Sequence, residues 1–137
     1  MARIVERESH VDHVGDVVVI THTGAINFDD AHNAIGIGLT SAQKAAGKKL
    51  LFDLRLADLS NYYSFIVRHA ELAPGMGLDA SFLVAFVGTR EAADVLSFTE
   101  RVVRNRGWNA RHFFSMDEAL EWLAKDDPTT TNGTSKE

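Results

Sequence analysis

Apolar and polar positions along the chain follow two alternating patterns. Some stretches are short and rich in apolar or β-branched residues, which is typical of strands. They are residues 16–23, 50–56, 81–88 and 109–114. After each of them, apolar residues recur every three or four positions, which predicts amphipathic helices. Those helices are expected to begin near Asn27, Ser60, Thr89 and Ser115. The pattern therefore predicts a strand followed by a helix, four times over.

Two further segments flank these four units. Residues 3–9 predict a short edge strand, and residues 10–15 predict a polar turn. Residues 128–137 offer almost nothing apolar to bury, so we expect a disordered tail after a single domain of residues 1–127. Strands that alternate with helices pair in parallel through right-handed crossovers. The expected fold is α/β, a mostly parallel five-stranded sheet with an antiparallel N-terminal strand and four helices.

The stretch 50–56 is predicted to be a central strand. Leu50, Phe52, Leu54 and Leu56 would share one face, because side chains alternate along a strand. In open α/β sheets, function concentrates at the carboxyl ends of the strands and at the helix starts that follow them. We therefore expect a binding site there. Its candidates are Asp58, Ser60, Asn61, Tyr62, Tyr63 and Phe65 after this strand, with Asn27, Phe28 and Asp29 after the preceding one.

The aromatic start of the second helix has two interpretations. Tyr62, Tyr63 and Phe65 cannot all point into one core, because a helix turns about 100° per residue. They could be core residues with at least one tyrosine at the surface or in a pocket. Alternatively, they could form a binding surface for a partner or an apolar ligand.

Composition narrows the choice of partner. The net charge is −5 without a basic stripe, which argues against nucleic acid. The chain has no cysteine, and the pairs His10/His13 and Asp29/His32 are too few for a metal site. No cofactor is expected. No apolar run approaches the roughly 20 residues that span a bilayer, so we expect a cytoplasmic protein.

Enzyme activity is a weak alternative. Asp53 or Asp58 could form an acid–base pair with His69, but Asp53 could equally well pair with Arg55 on its own strand. No nucleophile elbow or phosphate-binding loop is present in the sequence. We therefore predict that the protein is not an enzyme.

Three segments resemble the STAS domain, the fold of bacterial anti-sigma-factor antagonists, and its SpoIIAA-like relatives. They are the strand Leu50-Leu-Phe-Asp-Leu-Arg55, the strand of residues 81–88 with the helix after it, and the closing unit of residues 110–123. The resemblance implies a superhelix of βα units that binds a protein partner through the start of its second helix. Lipid-binding CRAL-TRIO domains are often grouped with these relatives. They imply the alternative of a small carrier or sensor, with a lipid-like apolar ligand between helices and sheet.

One feature departs from the signalling antagonists. Those proteins carry a phosphorylated serine in an Asp-Ser-Ser-Gly-like turn at the start of the second helix. Here that place is occupied by Asn61-Tyr62-Tyr63, with Ser60 and Ser64 on either side. The departure argues against a phosphorylation switch at this helix start.

The fourth strand predicts a second apolar surface. Leu83, Ala85 and Val87 would make its other face apolar, on the side of the sheet away from most helices. That face needs cover from the first helix, the N-terminal segment or another subunit. We expect a homodimer, because uncovered apolar patches of several hundred Å² are uncommon on monomers.

Overall fold

A computed structural model describes residues 8–44 and 48–125. Within them the strands are β1 (Glu8–Val14), β2 (Val17–Ala25), β3 (Lys49–Asp58), β4 (Leu83–Val87) and β5 (Asn109–Phe113). The α-helices are α1 (Phe28–Lys44), α2 (Tyr62–Leu72), α3 (Ala93–Asn105) and α4 (Met116–Lys125). The predicted disordered tail, residues 128–137, lies outside the described residues.

The strands lie side by side in chain order, β1-β2-β3-β4-β5. β1 pairs antiparallel with β2, and every later pair is parallel. The predicted mixed sheet of five strands with four helices is thus confirmed. β3 is buried on both faces along most of its length, which explains why its apolar residues are nearly continuous.

The first strand extends further along the chain than the sequence pattern indicates. Residues 10–15 are not a polar turn: β1 runs to Val14 and forms a hairpin with β2, in which Val14 pairs with Val17. The turn is only two residues long and begins at Gly15, whose φ of 60° is the left-handed conformation that such turns require. Polar residues are tolerated in β1 because it is an edge strand. Residues 3–7 of the predicted strand lie outside the described residues.

Three helices cover one face of the sheet. α1, α2 and α3 pack on residues such as Ile20, Leu50 and Phe86, which are almost completely buried. α1 approaches β2 closely at Gly38, where an added Cβ would lie 2.7 Å from the Cδ1 of Ile20. A side chain at this position would therefore force either the Ile20 side chain or α1 to move.

α4 covers the opposite face. Its Ala119 and Leu123 are fully buried against Leu83, Ala85 and Val87. None of the three covers predicted for this face is correct, because the chain's own last helix buries it. The apolar face of β4 is therefore no longer an argument for a homodimer.

Side-chain capping hydrogen bonds form at two of the predicted helix starts and are missing at a third. The Asn27 side chain accepts the backbone N–H of Asp30 at 3.0 Å, and Ser115 Oγ accepts that of Glu118 at 3.3 Å. The third helix was expected to begin near Thr89, but the side chain of Thr89 makes no capping hydrogen bond. A short 3-10 turn, Arg90–Ala92, lies between Thr89 and α3.

Candidate functional site

A bulge shapes the end of β3. Thr21 pairs with Asp53 and Thr23 with Leu56, so β3 contains one extra residue there. The extra residue reverses the alternation of side chains beyond it. Leu56 is consequently 72% exposed and does not share the buried face of Leu50, contrary to the prediction.

Asp53 and Arg55 form an ion pair within this irregular stretch. The Arg55 guanidinium donates hydrogen bonds of 2.9 Å to both carboxylate oxygens of Asp53. Burial raises the pKa of the Asp53 carboxyl, but the bonds and charge of Arg55 outweigh it and hold that pKa below its usual value. Asp53 is therefore paired with Arg55 of its own strand, which is one of the two pairings that the sequence left open.

A cleft of about 280 Å³ opens at the carboxyl edge of the sheet, between the start of α2 and the loop after β2. Six of the nine predicted site residues line it: Phe28, Asp58, Ser60, Asn61, Tyr62 and Phe65. Ala25, Ile26, Ser64 and Arg68 complete the lining. Two loops that follow parallel strands therefore meet at one edge, as parallel pairing requires.

The remaining three predicted residues lie outside the cleft lining. Asn27 caps α1, and Asp29 lies in the exposed first turn of that helix. Tyr63 is 46% exposed and packs against Phe98 of α3, with their ring centres 4.9 Å apart. It lines a shallower groove that continues toward the loop after β4, past Glu91 and Asp94.

The two tyrosines have opposite environments. Tyr62 is only 2% exposed and stacks on Phe65 at 5.1 Å, and burial raises the pKa of its hydroxyl. Tyr63, one residue later, points to the surface. Tyr62 is therefore a core residue that also lines the cleft, and Tyr63 is the exposed tyrosine of the pair.

Polar groups form the rim of the cleft. The Asp58 carboxylate accepts the Ser60 hydroxyl at 2.8 Å and its backbone N–H at 3.0 Å, which lowers the pKa of the Asp58 carboxyl. A phosphoryl group on Ser60 would lie beside this carboxylate and be repelled by it. The geometry at Ser60 therefore agrees with the missing phosphorylation motif.

Aromatic rings and one cation form the inner wall. The Arg68 guanidinium lies over the ring of Phe28, 4.3 Å from its centre, and the Phe28 and Phe65 rings meet edge to face at 5.9 Å. Such a wall can hold an apolar or aromatic side chain of a partner, while the polar rim can orient it.

A buried histidine lies directly behind that wall. The ring of His69 is 4.7 Å from that of Phe28 and 4.5 Å from that of Phe65, and neither of its ring nitrogens has a hydrogen-bond partner. It therefore makes no bond to Asp58, and the acid–base pair considered from the sequence does not form. Burial lowers the pKa of His69 to about 4.

His69 belongs to a cluster that sequence reasoning missed. His22 of β2 and His32 of α1 lie close to the same rings. His22 stands within a run of β-branched residues, which is a signal that its side chain is buried. Nothing in the sequence shows that the three histidines meet. In the described part of the chain, no three or more acidic or histidine side chains are arranged to hold a metal ion.

The space between helices and sheet is small. An apolar cavity of about 50 Å³ lies beneath α1, α2 and α3, bordered by Leu39, Phe52, Trp108 and His69 among others. Sites for small molecules usually measure about 300–1,000 Å³. A lipid-like ligand therefore does not fit in this cavity without movement of the helices. Over the residues described, no helix is long and apolar enough to cross a membrane.

Two solved structures share this architecture. An uncharacterized protein of the DUF3478 family with a SpoIIAA-like fold, from Shewanella loihica, is 17% identical with a TM-score of 0.52, covering 90% of this chain and 98% of its own. An anti-sigma factor antagonist from Mycobacterium paratuberculosis is 14% identical with a TM-score of 0.58, covering 87% of this chain and 95% of its own. The chain has the SpoIIAA-like fold.

That fold is the one the STAS resemblance predicted. No protein-family model matches the sequence, and a comparison with curated protein sequences finds no match. At these identities the SpoIIAA-like fold describes the backbone architecture and not the residues of a site. What the cleft does must therefore be argued from its own side chains.

Proposed function

We propose that the protein is a non-catalytic regulatory module that binds a protein partner through the start of α2 and the neighbouring loops. The observation that carries the proposal is the joint surface of the cleft and Tyr63 at the carboxyl edge of the sheet. One of the similar solved structures is an anti-sigma factor antagonist, which supports the same class of function.

The chemistry of the surface favours a protein. Anchoring side chains of protein interfaces are often aromatic or Arg and are surrounded by polar groups that hydrogen-bond to the partner. Here Phe28, Phe65 and Arg68 form the wall, and Asp58 and Asn61 lie on the rim. The cleft is large enough for one side chain of a partner, and Tyr63 extends the contact surface along α2.

The alternative of a lipid-like ligand has less support. The cavity between helices and sheet measures about 50 Å³, well below the usual size for such a site. Native mass spectrometry of the purified protein tests this alternative directly. A co-purified lipid would favour the carrier, and the same spectrum tests the predicted homodimer.

A photo-crosslinking experiment tests the partner-binding proposal. A benzophenone amino acid is placed at Tyr63, and the protein is irradiated inside the source cell. The matched control carries the same probe at Ile37 of α1, which is 61% exposed and lies away from the cleft. We expect a discrete crosslinked protein from position 63 and none from position 37.

A second variant tests whether the crosslink from position 63 depends on the cleft. Phe28→Ser, combined with the probe at Tyr63, removes the ring beneath Arg68. Its crosslink should weaken strongly while its folded fraction, followed by circular dichroism, stays high. Identical crosslinks from positions 63 and 37 would contradict the proposal. So would a crosslink from position 63 that Phe28→Ser does not change. The predicted cytoplasmic location is tested by fractionating the same cells.

A further inference from the structure

Three histidines from three different elements meet behind the cleft. We call His22 of β2, His32 of α1 and His69 of α2 the histidine cluster. The rings of His32 and His69 are 5.3 Å apart, and the ring of His22 is 6.4 Å from that of Phe65. The cluster is held among Phe28, Phe65 and Phe52, so it is an aromatic and mostly apolar environment.

Most of the ring nitrogens in the cluster are buried without a partner. They are His22 Nε2, His32 Nδ1 and both nitrogens of His69. Among the ring nitrogens of the histidine cluster, only His22 Nδ1 has a described hydrogen bond, which joins it to the Ser9 hydroxyl at 2.7 Å. His22 and His69 are 1% and 4% exposed. A neutral imidazole tolerates such burial far better than a charged one, which would lose its hydration.

The charge interactions that act on His22 and His69 come from groups that are positive when protonated. Among the charged or titratable groups on the packed elements are His10 on β1, Asp53 and Arg55 on β3, Asp29 and Asp30 on α1, and Arg68 on α2. Arg68 and the other two histidines disfavour a proton on His69, and His10 disfavours one on His22. The Asp53 carboxylate, which is 13% exposed, is already bound by Arg55.

We propose that the histidine cluster is an acid-sensitive latch: protonation of His69 and His22 separates α2 from α1 and β2 and dismantles the aromatic wall of the cleft. The latch acts on the cleft directly, because Phe28 and Phe65 contact both the cluster and the cleft. Control of partner binding by pH rests on the function proposed above. The separation of α2 from α1 and β2 does not depend on that function.

The direction and size of the effect follow from proton linkage. Burial lowers the pKa of His22 and of His69 from 6.5 to about 4, so the closed state prefers neutral rings. Stability from these groups is complete above pH 6.5 and is lost as the pH falls toward 4. For one histidine with these values, the opening equilibrium rises roughly 20-fold between pH 7 and pH 5.

Hydrogen exchange tests the latch without any partner. Amide exchange of residues 62–69 is measured at pH 7 and pH 5 and corrected for the intrinsic effect of pH. We expect opening in α2 to increase roughly 20-fold or more at pH 5. His69→Phe keeps an aromatic ring between Phe28 and Phe65 but cannot be protonated, so most of the increase should disappear. His13→Gln, which removes an exposed histidine bonded to Ser41, should behave like the wild type.

A second measurement covers the case in which His69→Phe does not fold. The ring nitrogen signals of His22 and His69 in the wild type are followed by NMR from pH 7 to pH 4. Neutral rings at pH 6, followed by protonation together with the exchange increase, would support the latch. The latch is wrong if either ring is protonated at pH 6 in the closed protein, or if exchange in α2 is unchanged at pH 5. Neither result would affect the crosslinking test at Tyr63, and a failed crosslink would not affect the latch.

Discussion

The two faces of the sheet are built differently. The face under α4 is a small cluster of apolar side chains, in which Leu51, Leu83 and Leu123 are nearly completely buried. Lys49, two residues before Leu51 on the same strand, is buried as well, but its ammonium lies 3.4 Å from the Asp16 carboxylate. The opposite face has a larger apolar core, and His22 and His69 are buried on that side, each with at least one ring nitrogen that lacks a partner.

The difference distinguishes burial that only stabilises the fold from burial of polar groups next to a candidate site. A buried polar group without a partner lowers stability, and such groups cluster at functional sites more often than elsewhere. The α4 face therefore serves stability, while the opposite face holds the cleft and the histidine cluster at its carboxyl edge. Each of the following predictions tests whether that division is correct.

Exchanging the two adjacent tyrosines for serine should produce the largest contrast. Tyr62→Ser leaves a cavity beneath the cleft and should cost about 3–5 kcal/mol of unfolding free energy, as large-to-small core changes do. Tyr63→Ser removes an exposed ring that contacts Phe98 and should cost about 0.5–1.5 kcal/mol. Urea denaturation of both variants measures the difference. Equal losses would mean that the proposed division within α2 is wrong.

Leu123→Ala tests the α4 face. Leu123 is fully buried and is one of only two fully buried residues described in α4, so its loss should cost about 2–5 kcal/mol. The loss should be the same at pH 7 and pH 5, because this cluster contains no histidine. Glu121→Ala, on the exposed side of the same helix, is the control and should change stability by less than about 0.5 kcal/mol. A loss of unfolding free energy that is larger at pH 5 would mean that the α4 face is coupled to the histidine cluster, and it would contradict the division between the two faces.

Asp53→Ala should have the smallest effect. Its partner Arg55 is about half exposed and can be solvated once the carboxylate is gone, so we expect a loss of about 0–1 kcal/mol. A loss of about 3–5 kcal/mol, typical of an unpaired buried charge, would contradict this expectation. Chemical denaturation decides, with Arg55→Ala as the reciprocal variant.

Sequence patterns within each element determined much of the architecture. The two hydrophobic periodicities predict the alternation of strands and helices, and the side chains of Asn27 and Ser115 predict where α1 and α4 begin. Parallel pairing then requires the loops after β2 and β3 to open at one edge. For this reason most of the candidate site, including Phe28, Asp58 and Phe65, could be placed together without coordinates.

Other features depend on contacts between residues distant in the sequence, and only the tertiary structure decided them. β1 extends through polar residues because β2 offers it a hydrogen-bonding edge. The bulge in β3 turns Leu56 outward, and packing against the sheet buries Tyr62 while leaving Tyr63 exposed. His22, His32 and His69 meet only because β2, α1 and α2 pack together, and no local pattern carries that information. α4 crosses to the other face of the sheet for the same kind of reason: Leu83, Ala85 and Val87 are apolar there and must be buried.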